Sequence, residues 1–176
     1  EVTKTAGIDS RRPDIVCYVN GIPLVVIEAK RPESSSSNKD SVDIGISQNI
    51  RNQKPDEIPS LFAYAQLLFS ISNVDGRYAT TKSSKEFWSQ WKEEADDPDA
   101  FSEAHFQAIK DKRLDEDHIA AIFTYNQATI RNDCDYKWQG NQIAPQKDYL
   151  LISLLTPERF FEFLRFYILF DHDKGK

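Results

Sequence analysis

Three ionisable residues sit where ionisable residues are costly. Asp14 opens the apolar run Ile15–Val19, and Glu28 and Lys30 close a second one, Leu24–Ile27. Strands that apolar are normally buried, so a charge at their ends carries a desolvation cost that something offsets, commonly a metal ion or a reaction. Two carboxylates present hard oxygen ligands of the kind Mg2+ takes, and Mn2+ suits the same donors. Hydrolysis of a phosphodiester needs a Lewis acid for the developing charge and an activated water. An ammonium two residues from a metal ligand can position that water or stabilise the pentavalent phosphate. Asp14 and Glu28 are therefore expected as metal ligands, with Lys30 acting beside them.

The element that must bring them together is a β-hairpin. Asn20-Gly21 lies between the two runs, and this dipeptide favours the positive φ angles of a tight turn. Side chains alternate along a strand, so Glu28 and Lys30 share a face across Ala29. Asp14 reaches that face only if the pairing is offset by one residue, through a three-residue loop or a bulge. A two-residue turn with no bulge in either strand would point Asp14 to the other side of the sheet.

The rest of the chain supplies the support. Glu1–Ala6 reads as an entering strand and Asp9–Arg12 as a polar turn, whose Arg11 and Arg12 could contact phosphate beside Asp14. After Pro32 a Ser-rich loop leads to Val42, Ile46 and Ile50, whose four-residue spacing predicts a helix over Ser41–Asn52 carrying Gln48 and Arg51. Pro55 and Pro59 impose an irregular passage with a short piece at Leu61–Tyr64. Strands follow at Leu67–Ile71 and Arg77–Thr81. Strand hairpin, helix and further strands predict an α/β layer architecture. Ser83 or Ser84 is expected to cap a helix with Phe87, Trp88 and Trp91 on one face, more plausibly a packing face than a platform for bases. Helical patterning resumes over Ala100–Ile109 and Asp117–Tyr125, and Arg131–Lys147 reads as irregular, with Trp138 a surface anchor. Thr156, Pro157 and Glu158 suit the start of a helix running to Asp171. That helix is apolar nearly all round, so protein absent from this chain is expected to cover part of it. The predicted division is a core over 1–92, an acidic extension over 93–149 and a helical segment over 150–176.

Composition narrows the function classes. The net charge of −6 argues against a freestanding nucleic-acid binder, since phosphate contacts need Lys and Arg. The excess is local: residues 93–117 hold 3 basic and 10 acidic residues, whereas residues 1–92 hold 12 and 11. Grip on DNA is thus expected from another domain or subunit. No apolar run is long enough to span a bilayer, and Cys17 and Cys134 make no disulfide framework, which fits a cytoplasmic protein. The absence of Met, position 1 included, suggests a fragment, or a sequence written without a modified Met. No Gly-rich phosphate loop occurs, and His105, His118 and His172 are scattered.

The stretch R-R-P-D-I-V-C-Y-V-N-G-I-P-L-V-V-I-E-A-K resembles the nuclease motif of the endonuclease-motor (R) subunit of type I restriction enzymes, members of the PD-(D/E)xK superfamily. I-P-S-L-F-A-Y-A-Q-L-L-F-S-I-S, D-G-R-Y-A-T-T and L-L-T-P-E-R-F-F-E-F-L-R-F-Y-I-L-F are similar to later segments of the same family. The resemblance covers about 11–91 and 150–172. It implies a restriction-endonuclease-like central mixed sheet flanked by helices, with a helical C-terminal extension. It implies Mg2+-dependent cutting of double-stranded DNA in a prokaryotic complex with specificity and modification (methyltransferase) subunits, ATP being used only by a motor domain absent here. Carried over by position, Asp14 and Glu28 are metal ligands, Lys30 is the catalytic lysine, and Gln48 matches the Gln of a Q-x-x-x-Y motif whose Tyr is replaced by Asn52. Arg11, Arg12, Arg31 and Arg51 are the candidate DNA contacts. Two other readings stay open: a non-catalytic docking module whose acids form a structural salt bridge, and a repair or junction nuclease on the same fold.

Overall fold

The computed structural model describes residues 1–5, 7, 9–31, 41–73, 75–94, 97, 99–112, 115–122 and 145–168. They fall into two compact units, one formed by 1–92 with 145–176 and the other by 93–144.

The first unit is built on a four-stranded mixed sheet in which Ile15–Val19, Ile22–Ala29, Leu67–Ile71 and Gly76–Ala79 are neighbours in that order. Strands β3 (Ile15–Val19) and β4 (Ile22–Ala29) form the antiparallel hairpin, β5 (Leu67–Ile71) runs parallel to β4, and β6 (Gly76–Ala79) returns antiparallel. A parallel pair needs a crossover, and α1 (Ser41–Asn52) with a 3-10 turn at Pro59–Ala63 lies within it. Two short strands, β1 (Val2–Thr3) and β2 (Ser10–Arg11), make a separate antiparallel pair. The entering strand is thus shorter than Glu1–Ala6. Half of the expected polar turn is strand, because Ser10 and Arg11 find a partner in Thr3 and Val2.

Both faces of the central strands are covered, as their unbroken apolar runs require. On one face Val26 and Leu68 pack with Val42 and Ile46 of α1 and with Ile58, Leu61 and Phe62. On the other, Val25, Ile27, Leu67 and Phe69 pack with Leu150, Leu154 and Phe160. These last residues come from α4 (Gln146–Leu155) and α5 (Pro157–Phe166). Leu68 is fully buried, and Leu68→Ala is worth about 2–5 kcal/mol of stability.

Four expectations need correction. No helix forms around Phe87, Trp88 and Trp91. Lys85–Phe87 is a single 3-10 turn, after which Ser89 bridges Tyr78, so Trp88 is buried while Phe87 is 69% exposed. Sheet pairing with β6 there overrides a helical spacing that spans barely one turn. Helix α4 begins before the expected helical segment over 150–176 and is separate from the helix that follows Thr156, because Arg131–Lys147 reads as polar up to the residues where α4 starts. Thr156 stands at the start of α5, but its hydroxyl donates to the Ile152 carbonyl of α4 at 2.6 Å and does not cap the helix that follows. α5 ends at Phe166, and Phe161, Phe166 and Tyr167 are exposed. Trp138, Cys134, His172 and the stretch from Leu169 to Asp171 lie outside the described residues.

The second unit holds α2 (Glu103–Lys110) and α3 (Glu116–Ile122). Ser102 caps α2, its hydroxyl accepting the His105 N–H at 3.2 Å. Phe101 stacks on His105 with ring centres 4.2 Å apart.

Candidate active site

The turn at Asn20-Gly21 has two residues, both with positive φ (51° and 80°), as the Asn-Gly dipeptide favours. Taken alone it would send Asp14 to the wrong face. The register, however, shifts between Cys17 and Tyr18. Tyr18 pairs with Pro23 and Cys17 with Val25, so Leu24 is an extra residue in β4. This bulge supplies the one-residue offset, and Ile15 opposes Ile27. One step further along the ladder Asp14 comes opposite Glu28, on the side where Val16 and Val26 pack toward α1.

The three predicted side chains meet there. Lys30 Nζ donates to Glu28 Oε2 at 2.9 Å and to Asp14 Oδ2 at 3.0 Å. The Ala29 N–H donates to the same Asp14 oxygen at 2.9 Å, fixing that carboxylate against the end of β4. Glu28 is buried, with 4% of its side chain exposed, whereas Asp14 is 40% exposed, so the cluster opens to solvent on the Asp14 side.

Burial is the largest single cause acting on each of the three groups, but it sets the direction of the shift only at Glu28. For Glu28, burial pushes the carboxyl above its ordinary value, and Asp14 adds to the shift, while Lys30 opposes it. For Asp14, burial pulls the same way, but the Lys30 ammonium and the Ala29 N–H outweigh it and hold the carboxyl below its usual value. Lys30 is pulled down by burial and raised further by Glu28 and Asp14, so it stays protonated. One positive charge thus serves two negative ones.

The donor set suits a hard divalent cation in chemistry. Two carboxylates held within reach of a single ammonium would match the one or two acidic ligands with which Mg2+ is commonly bound. Among the described residues no group of three or more His, Cys, Asp or Glu forms a larger cage.

Among the described residues, none of the other candidates is hydrogen-bonded to this cluster. Gln48 lies on α1, and its Oε1 is buried without a hydrogen bond among the described residues. Asn52, in the position of the motif's Tyr, is buried. It accepts Arg51 Nη2 at 3.1 Å through its side chain and the Ile58 N–H at 3.1 Å through its backbone. Arg11 is held by Glu57, its Nε and Nη2 donating to the two carboxylate oxygens at 2.6 and 2.7 Å. Arg12 and Arg31 are exposed. Glu57, 46 residues from Arg11, is a partner that sequence spacing gave no sign of. Ser70 and Gly45, which pack against Glu28, were visible only as a polar residue in an apolar strand and a glycine in a helical pattern.

A mixed α/β unit thus gathers two acids and a lysine at the strand ends of its hairpin. Residues 1–87 match the family described as Type I restriction enzyme R protein N terminus, and this segment of the chain belongs to that family. A type I restriction enzyme endonuclease subunit of Methanocaldococcus jannaschii is 28% identical over 166 residues, covering 94% of this chain and 13% of that protein. The HindI endonuclease subunit of Haemophilus influenzae is 24% identical over 163 residues, covering 93% of this chain and 11% of that protein. A second M. jannaschii endonuclease subunit is 40% identical over 63 residues, covering 36% of this chain and 6% of that protein. This chain thus spans about an eighth of the length of the first of these relatives. No solved structure matches it significantly. Among the described residues no helix is long and apolar enough to cross a membrane.

Proposed function

We propose that this chain carries the nuclease centre of a type I restriction enzyme R subunit, with a PD-(D/E)xK fold, and hydrolyses phosphodiester bonds of double-stranded DNA with Mg2+. The observation that carries the reading is the convergence of Asp14, Glu28 and Lys30, with Lys30 Nζ within 3.0 Å of both acids. Asp14 and Glu28 are the residues that hold the metal. When bound, Mg2+ supplies a Lewis acid for the phosphoryl oxygen and lowers the pKa of a coordinated water. The chain's own part is positional and electrostatic. The Ala29 N–H orients Asp14, the wall around Glu28 excludes solvent, and the Lys30 ammonium donates toward the charge that builds on the phosphorane. Exposed Arg12 and Arg31 are available to contact phosphates near the cluster, while Arg11 and Arg51 have partners within the protein. Specificity and modification subunits read the DNA, and ATP is consumed by a motor domain elsewhere in the R subunit, in the prokaryotic cytoplasm.

The test is Lys30→Ala in the reconstituted restriction complex. DNA cleavage is lost while ATP hydrolysis persists, and normal cutting by that variant refutes the assignment.

A second reading has an observation of its own. Lys30 bonds both carboxylates, which is also what a structural salt bridge in a docking module does. Calorimetric titration with Mn2+ separates the two readings, because a purely structural bridge has no metal affinity that depends on Asp14 and Glu28.

A further inference from the structure

Gly45 lies in the middle of the buried face of α1, where a glycine forgoes helix propensity. The reason is contact. A Cβ at this position would overlap the Ser70 hydroxyl and stand 3.2 Å from Ser70 Cβ and 3.3 Å from Glu28 Cβ. Ser70 is the residue paired with Glu28 across the parallel β4–β5 ladder, and it is fully buried. Its hydroxyl donates to the Val42 carbonyl at 2.6 Å, and Asn49 Nδ2 donates to the Phe69 carbonyl at 3.1 Å. Helix α1 is therefore fastened to β5 on both sides of Gly45, directly over the strand position that carries Glu28.

We infer that Gly45 and Ser70 form a notch that sets the height of α1 above the sheet and so positions Glu28 as a metal ligand. This rests on the reading of Asp14 and Glu28 as ligands. Neither Gly45 nor Ser70 touches the reacting atoms, so both are positioning residues. Interiors are close-packed, so an added methyl either turns the Ser70 hydroxyl out of its bond to the Val42 carbonyl, unfastening the helix, or moves the helix or the strand. Glu28 is buried, so it cannot swing out to recover its geometry. The same helix carries Gln48 one turn beyond Gly45, so a lifted helix displaces that side chain too.

The experiment is calorimetric titration of the whole chain with Mn2+, at a temperature where circular dichroism shows each variant folded. Wild type, Glu28→Gln, Gly45→Ala and the double variant Gly45→Ala/Ser70→Gly are compared. Gly45→Ala is expected to weaken Mn2+ binding about tenfold or more, the usual range for groups that orient a ligand. Ser70→Gly in the double variant restores room and recovers most of the affinity. Helix propensity favours Ala, so affinity and melting temperature need not move together. A packing role alone would lower the melting temperature and leave the affinity of the folded protein unchanged, which overturns the inference. So does a double variant that binds no better than Gly45→Ala. Should Gly45→Ala not fold, Ser70→Thr fills the notch from the strand side, and wild-type affinity in that variant overturns the inference equally. Mn2+ binding that Glu28→Gln abolishes but Gly45→Ala leaves intact refutes the notch alone. Absence of any Glu28-dependent binding in wild type refutes the metal-site reading and the notch with it.

Discussion

Two ion-pair clusters in the same unit face opposite electrostatic situations. At the β1–β2 pair, one acid has two bases: Glu57 receives Arg11 in a bidentate pair, and Lys4 Nζ lies 3.7 Å away. At the end of the hairpin, two acids share one base, Lys30. Arg11 is the main cause that holds Glu57 below its ordinary value, whereas burial drives Glu28 above its own. The first arrangement is saturated and ties the N-terminal strands to the segment after α1. The second leaves a buried carboxylate short of positive charge, which a cation would relieve. Similar residues thus serve the fold in one place and suit chemistry in the other, and the decisive variable is the local count of charges.

The largest effect comes from removing the base of each cluster. Lys30→Ala should lower DNA cleavage by the assembled complex by roughly 10^2-fold or more, the scale of one electrostatic stabiliser. Arg11→Ala should leave cleavage by the folded protein near normal and instead lower the melting temperature. Cleavage rates and thermal melts of the two variants check the contrast, and a nuclease-dead Arg11→Ala would erase it.

Neutralising the acids should next split the clusters by sign. Glu28→Gln removes a carboxylate that burial disfavours, so it should raise or preserve the melting temperature while abolishing Mn2+ binding, a familiar stability–activity trade-off. Glu57→Gln breaks a satisfied pair and should lower the melting temperature by several degrees in a unit of this size.

The pH dependence follows from the same shifts. Glu57 has a depressed carboxyl in the folded state, so its stabilising contribution is present above the ordinary Glu range and is lost as pH falls through the folded value. Asp14 behaves likewise. Glu28 has a raised carboxyl, so the folded state loses stability as pH rises from the ordinary Glu value through the folded one. Denaturant melts across acidic pH should show Arg11→Ala flattening the acid limb and Glu28→Gln removing the opposing slope.

The smallest effects on the fold belong to the exposed bases that neither cluster uses. Arg12→Ala and Arg31→Ala should each change stability by less than about 0.5 kcal/mol. Each phosphate contact so lost should reduce the salt dependence of DNA binding by a slope of about 1, measured on the complex at several salt concentrations.

Much of this arrangement was legible in the chain. Val42 and Ile46 mark the buried face of α1, and Ser41–Asn52 is the helix their spacing predicts. Leu67–Ile71 forms the predicted strand because five apolar and small residues with no Pro or Gly fit a position buried on both faces. Asp14, Glu28 and Lys30 could be singled out because ionised groups beside such strands are conspicuous. Where the chain misleads, the signal is short or nonlocal. Phe87, Trp88 and Trp91 have helical spacing over one turn only, and pairing of Ser89 with Tyr78 decides their conformation. Helix α4 starts within a polar stretch, and the apolar residues that justify it follow only from Tyr149.

The sequence by itself determined which residue types are present, that two apolar runs meet at an Asn-Gly turn, and that Glu28 and Lys30 share a face, because strand alternation is a local property. Only the tertiary structure decided that Asp14 joins them. That outcome depends on a bulge at Leu24, which Pro23 favours locally by withholding a ladder N–H, but where the offset falls is fixed only by the pairing of β3 with β4. It likewise decided that Arg11 belongs to Glu57 and that Gly45 gives way to Ser70, since contacts between residues far apart in the chain depend on how the layers pack.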